Sequence, residues 1–280
     1  MKRWLAVPPF VVLGTLFVGG LASGLAQSLG YLPAAGLFEL SLSAYMEVLY
    51  MPSFLQSLIL TTFVAAAATF LSVALALVTA FALRRRLRGR RVLGFIYQLP
   101  LTVPHLVVAV GALMLFSQSG LVSRLLYSLG FIEGTAEFPI VVYDDYGVAV
   151  IFVYVWKQIP FIGLIVLAVL QSTGEDYEEV ARTLGAGRRK TFFHVLLPLV
   201  LPGILPGSVI IFAYVFGSFE VPLLLGKSYP AMLSVFAYQN YVDVDLSMRP
   251  IAMAAGILIA VVCMTLILIY RGLARRVVRR

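Results

Sequence analysis

The sequence predicts an all-α integral membrane protein with six transmembrane helices and both termini in the cytoplasm. Three observations carry this. The 280-residue chain is 61% hydrophobic and only 12% charged, whereas a soluble domain devotes roughly a quarter of its residues to charge. Six apolar stretches, near 4–25, 58–83, 92–116, 148–170, 198–225 and 250–270, are each long enough to cross a bilayer core, which takes about 20 helical residues. Seventeen of the 21 basic residues fall in segments that a cytoplasmic N-terminus places inside, as the positive-inside rule requires. The runs are apolar on every side and lack the alternation of an outer-membrane barrel.

The first span, Trp4 to Leu25, follows Lys2 and Arg3. Its apolar run is longer than a secretory signal core and no small-residue cleavage pattern follows, so it reads as a retained helix. The outer segment from Gly30 to Gln56 sets Leu37, Phe38, Leu40, Tyr45 and Leu49 among polar residues, which fits a short helix in the membrane interface. The second span, Leu58 to Leu83, runs into six arginines between Arg84 and Arg91, a cluster that anionic lipids attract. The third, Val92 to Phe116, holds Pro100 and Pro104 beside His105. A second amphipathic candidate, Leu121 to Leu129, and an acidic loop with Glu133, Glu137, Asp144 and Asp145 come next.

The fourth span, Val148 to Leu170, carries Lys157. The fifth, Pro198 to Leu225, carries Pro198, Pro202, Pro206 and Pro222 with Gly203, Gly207 and Gly217. Proline removes a backbone donor and clashes one turn back, so the fifth helix is expected to kink or break, and the third to do so more mildly. Non-helical backbone at membrane depth survives only when buried in protein or lining a watery cavity. Either spans three to five line a path and flex, or the prolines only shape packing. The sixth span, Pro250 to Tyr270, contains the lone Cys263, which forms no internal disulfide and says nothing of redox compartment. Nothing resembles a linker, so residues 1–280 read as one integral domain.

Between the fourth and fifth spans, residues 172–197 form the most informative segment. Glu178, Glu179, Val180, Ala181 and Leu184 suit a short amphipathic helix that Gly185, Ala186 and Gly187 end, because glycine tolerates the backbone angles of a helix stop. Arg188, Arg189 and Lys190 then start a new helix that carries Phe192 and Phe193 into the next span. A cytoplasmic loop of this kind is a docking element for a partner.

Charge inside a span is a functional hypothesis by default. Lys157 and Glu220 sit in the outer halves of their spans, where they face a path or pair with each other. Alternatively Lys157 snorkels and Glu220 caps a helix piece. His105 and His194 stand alone, so no metal site is expected. No GxSxG or HExxH occurs, and GAGRRKT at Gly185 to Thr191 fails the phosphate-loop spacing, so neither an enzyme nor ATP binding by this chain is expected. The net charge of +8 follows from the positive-inside bias and does not call for nucleic acid.

The segment EVARTLGAGRRKTFFHVLLP, Glu179 to Pro198, resembles the EAA signature of permease subunits of binding-protein-dependent ABC importers. Glu179, Ala181, Gly185, Val195, Leu197 and Pro198 stand at its positions, and Val180 replaces one alanine. LSAYMEVLYMPSFLQSLILTT, VWKQIPF and FGSFEVPLLLG resemble further family segments, so the likeness runs from about Leu42 to the C-terminus. It implies the type I ABC importer permease fold in a bacterial or archaeal inner membrane. Implied partners are a second permease, expected to be a different chain, two ATPase subunits holding ATP and Mg, and an extracytoplasmic solute-binding protein. The coupling residues implied are Glu178, Glu179, Val180, Ala181, Arg182, Leu184, Gly185, Ala186, Gly187 and Arg188. Glu220, Lys157, His105 and Phe219 are the candidates for the translocation path.

Within the family, FGSFEVPLLLG and YQNYVDVDLSMRPIAMA look most like the polyamine type, with iron and thiamine types nearby. Eight acidic residues in the outer segments, Glu39, Glu47, Glu133, Glu137, Asp144, Asp145, Asp243 and Asp245, suit a cation or reflect the positive-inside bias alone. A polyamine is therefore the expected solute, with iron, thiamine or a sugar as alternatives. A stand-alone secondary transporter would need matched repeats or several intramembrane carboxylates, and the docking loop would have no purpose.

Overall fold

A computed structural model of the chain describes residues 7–83 and 90–278, without the side chains of 90–91, 173–176 and 273–278. Lys2, Arg3 and the arginines from 84 to 91 thus lie outside the described side chains. The described chain is helical: α1 (Val7–Ser28), α2 (Ser43–Tyr50), α3 (Pro52–Leu83), α4 (Arg90–Thr102), α5 (His105–Phe116), α6 (Leu121–Ser128), α7 (Val148–Thr183), α8 (Arg188–Thr191), α9 (Leu197–Gly217), α10 (Glu220–Leu225), α11 (Leu233–Tyr241) and α12 (Arg249–Val278). Among the described residues no strand forms beyond one isolated bridge, Leu32 with Leu37. Six helical segments are long and apolar enough to span a membrane; the third of them is His105–Ser128 rather than the expected 92–116, and it takes in α6, whereas Val92–Thr102 is a shorter apolar helix. The short helix expected before the second span is α2.

Three elements differ from the sequence expectation. The third span is fully interrupted at Val103 and Pro104. Pro104 has no N–H for the Pro100 carbonyl, and proline disfavours helical angles in the residue before it. The fifth span stays helical through Pro202 and Pro206 and breaks later, at Ser218 and Phe219, between α9 and α10. Just before α9, Phe192–Leu196 form a π-turn, a wider turn that accommodates the missing donor of Pro198. The docking helix is not a separate short helix. It is the last turns of the 36-residue α7, since nothing between Leu170 and Glu178 stops a helix.

The chain falls into two compact units. Residues up to 58 with 230–262 form one. Its core gathers Val48, Phe54, Leu233, Phe236, Ile251 and Ala255, with the Phe54 and Phe236 rings 6.0 Å apart and the hydroxyls of Ser28 and Tyr45 bonded at 2.7 Å.

Residues 59–229 with those from 263 onward form the other unit, and α7 is its hub, touching α4, α5, α9 and α10. Small residues let these helices approach closely, as in other membrane bundles. A Cβ on Gly207 would lie 2.7 Å from Ile162 Cδ1, and one on Gly203 2.9 Å from Ile165 Cγ2. At the crossing of α4 and α7, a Cβ on Gly163 would lie 1.7 Å from the Tyr97 hydroxyl oxygen. That hydroxyl donates to the Ile159 carbonyl at 3.1 Å and meets Thr79 Oγ1 at 3.1 Å, tying α3, α4 and α7 together.

Candidate functional site

The segment expected to dock on a partner, residues 172–197, is built around a glycine-terminated helix end. Gly185 has φ +80°. Its N–H donates to the Arg182 carbonyl at 2.9 Å, and the Ala186 N–H donates to the Ala181 carbonyl at 2.9 Å. This pair of bonds is the Schellman arrangement, which satisfies the last carbonyls of a helix and needs a left-handed residue at its pivot. No atom lies within 4 Å of where a Gly185 Cβ would stand. The demand for glycine is therefore one of backbone angle, not of room. Gly187 in extended conformation then starts α8, and buried Thr191 turns its hydroxyl onto the Gly187 carbonyl at 3.2 Å.

Side chains around this turn divide into two sets. Ala181 is buried against its own chain, so it permits close packing and offers no surface to a partner. Tyr177, Val180 and Leu184 are exposed, Leu184 by 82%, and their spacing of three and four residues puts them on one face of α7. The result is an apolar ridge at the end of the helix. Arg182 pairs with Glu178 at 2.6 Å one turn back, and Glu179 and Arg188 are exposed beside it. A cleft of about 360 Å³ behind the turn is lined by Phe81, Glu178, Arg182, Ala186, Gly187, Arg188 and the Phe192 ring, which stacks edge-on to Phe81 at 5.0 Å. Tyr177 belongs with the ridge, and the helical period from Val180 and Leu184 points to it.

Inside the spans, Lys157, His105 and Glu220 come together where α5, α7, α9 and α10 meet. Lys157 is only 4% exposed. Its Nζ donates to the Pro100 carbonyl at 2.8 Å and to the Val103 carbonyl, so it neither snorkels to an interface nor forms an ion pair with Glu220 among the described residues. His105 opens α5, its ring 4.9 Å from that of Tyr214 and 6.2 Å from that of Tyr154. Its Nε2 is shut off from solvent without a hydrogen-bond partner. Glu220 opens α10 and is exposed. Phe219 is half-buried at the break itself.

Sequence reasoning missed Tyr154, Tyr214 and Ser218. The Tyr154 hydroxyl donates to Ser218 Oγ at 2.5 Å, and Ser218 donates to the Val215 carbonyl at 2.9 Å. No local signal marks them, because a tyrosine and a serine in apolar runs are ordinary until a helix break brings them together.

Most of the acidic loop residues have local partners. Asp144 accepts from the Tyr146 and Val148 N–H groups at 2.8 and 2.7 Å, capping α7. Asp145 pairs with Lys227 at 2.5 Å, Glu137 accepts from the Glu133 N–H at 2.9 Å, and Asp243 from the Asp245 N–H at 2.9 Å. Asp245 accepts from the Ser247 N–H, and this backbone bond holds its carboxyl below the usual range. Turns and caps account for these carboxylates without a cationic ligand.

Residues 72–279 match the family described as binding-protein-dependent transport system inner membrane component. The molybdenum transport system permease protein ModB of Mycobacterium tuberculosis is 31% identical over 219 residues, 78% of this chain and 78% of that protein. The sulfate transport system permease protein CysT of Salmonella typhimurium is 28% identical over 246 residues, 87% of this chain and 85% of that one. The fold is that of a solved bacterial ABC transporter involved in the import of the acidic polysaccharide alginate, with TM-score 0.79 and 20% identity over 98% of this chain and 94% of that one. The six spans and the matched length lead to one conclusion: this multi-pass inner membrane protein belongs to the binding-protein-dependent transport system inner membrane components, the permeases of ABC importers.

Proposed function

We propose that this chain is a translocating permease subunit that pairs with a second permease, docks on two ATPase subunits and receives a small solute from an extracytoplasmic binding protein. The observation that carries this reading is the Schellman turn at Gly185 with the exposed Tyr177, Val180 and Leu184 ridge at the end of α7. A helix that ends in an apolar ridge beside a rigid turn fits a cleft on a partner. Because α7 continues without a break into the spans, a push on the ridge reaches the meeting point of α5, α9 and α10. ATP and Mg belong on the partner, and the two docking states drive alternating access only through their difference in free energy. A solved alginate transporter with the same fold was captured with a ligand-bound periplasmic protein, which supports the binding-protein arm. His105, Tyr214, Phe219 and Glu220 are the side chains proposed to meet the solute.

For the solute, the polyamine expected from the sequence draws no support from the relatives named above. Five of the eight outer carboxylates that suggested a cation are engaged in turns, caps or the Asp145–Lys227 pair. Permeases named for molybdenum and sulfate favour a small oxyanion as the reading to test beside it. The experiment is ATP hydrolysis by the complex copurified with this chain in nanodiscs, with binding protein loaded in turn with molybdate, sulfate or spermidine. Stimulation by one loaded protein supports the importer and names the solute class. If no ATPase copurifies and flux runs on an ion gradient alone, a stand-alone transporter replaces this reading.

A further inference from the structure

We infer that Lys157 is a positioning residue that supplies the hydrogen bond Pro104 cannot make, and thereby locks the break in the third span onto α7. In an unbroken helix the Pro100 carbonyl would accept from the N–H of residue 104. That residue is proline and has none. The Lys157 amine stands in its place, 2.8 Å from the Pro100 carbonyl, and also reaches the Val103 carbonyl within the break. Two carbonyls beside the buried amine would otherwise lack this partner, and a buried carbonyl left unsatisfied costs its full desolvation penalty. A lysine is suited to the task because its ammonium presents several donors on a long flexible stem.

One turn earlier on the same face of α7, Tyr154 holds the other break through Ser218. Lys157 and Tyr154 are three residues apart, so a single helix face grips both interruptions. The grip has a mechanical consequence, which rests on the importer reading above. Displacement of the docking ridge, carried along α7, reaches the free carbonyls of the α4–α5 break through the lysine, in addition to the packing and the Tyr97 bond that join α4 to α7. Lys157 therefore acts through the backbone of α4 and does not touch the solute.

The test uses the assembled transporter in proteoliposomes, with sulfate, molybdate and spermidine offered in turn on the binding protein. For Lys157→Met, uptake is expected to fall at least tenfold and more steeply than hydrolysis, so that ATP consumed per solute rises severalfold. The KM for loaded binding protein should stay within twofold. Lys157→Gln, which keeps an N–H donor, should recover a third or more of the lost uptake.

A tenfold shift in KM at unchanged turnover would instead make Lys157 a solute contact and overturn the inference, as would wild-type coupling in Lys157→Met. A fall of uptake and hydrolysis in equal proportion would reduce the lysine to a fold-keeping role and also overturn it. A thermal-unfolding cycle on the purified complex tests the cap independently of transport. Pro104→Ala restores an N–H to the Pro100 carbonyl, so the loss of midpoint caused by Lys157→Met should be at least halved in the Pro104→Ala background. Additive losses would refute the cap. Absence of ATP-driven uptake in the wild type would sink the importer reading alone and leave this cycle to decide the cap.

Discussion

Gly185 shows how one residue shapes a helix end through its backbone, and the coupling proposed for it rests on that geometry. Its φ of +80° and the empty space around it mean that a side chain costs conformational strain of about 1–2 kcal/mol without a clash. A β-branched residue suffers most at positive φ and asparagine least. Gly185→Val is expected to insert and assemble but to lose about tenfold or more of ATP-driven uptake, since 1.4 kcal/mol is tenfold in an equilibrium. Gly185→Asn should keep most of it. Uptake in vesicles, normalised to membrane-inserted chain by immunoblot, separates the two, and equal uptake by both variants would remove the turn from the coupling role. Glu220 opens α10 at the break in the fifth span and is among the side chains proposed to meet the solute, so Glu220→Gln is expected to change the solute concentration for half-maximal ATPase stimulation by about tenfold, the size of one hydrogen bond to a charged group. Superimposable stimulation curves would return Glu220 to a helix-capping role. Both residues stood out in the sequence for local reasons, a glycine after a helix pattern and a carboxylate inside an apolar run. The task of Lys157 did not, because the carbonyls it caps lie 57 and 54 residues away.

Among the elements, α7 does most to organise its unit. It is long because no residue between Val148 and Thr183 terminates it. Pro160 is tolerated in its interior, where neighbouring groups in a bundle re-satisfy the freed carbonyl. Its crossing with α9 depends on glycines. Gly207→Leu drives side-chain atoms into Ile162 and Ile165 and is expected to cost about 1–3 kcal/mol by overpacking, read as a lower thermal midpoint of the purified complex. Gly111→Ala, where a Cβ meets nothing within 4 Å, should leave the midpoint unchanged or slightly raised. Equal effects of the two changes would contradict the packing of α7 on α9. The proline count correctly marked the third and fifth spans as irregular, without locating the break in the fifth. Pro202 and Pro206 fall on an exposed face of α9 and leave the helix continuous. The interruption comes at Ser218, where Tyr154 and the Val215 carbonyl provide bonds that hold it.

The topology across the bilayer is an expectation from charge, and it has a direct check. With the sole native Cys263 replaced by serine, a cysteine at Leu184, 82% exposed, and another at Val244, 99% exposed, should label from opposite sides of the membrane. Val244→Cys should react with an impermeant maleimide in intact cells and Leu184→Cys only after permeabilisation. The reverse pattern would invert the chain. Hydrophobicity is additive along a chain and the glycine motif is contiguous, so the helical class, the number of spans and the glycine turn could all be read from the amino acids in order. The grip of α7 on two broken helices could not. Neither could the burial of Ala181 beside an exposed ridge, nor the engagement of the loop carboxylates in caps. Each of these depends on which distant groups are left without a hydrogen-bond or packing partner, and that is settled only when the helices lie side by side.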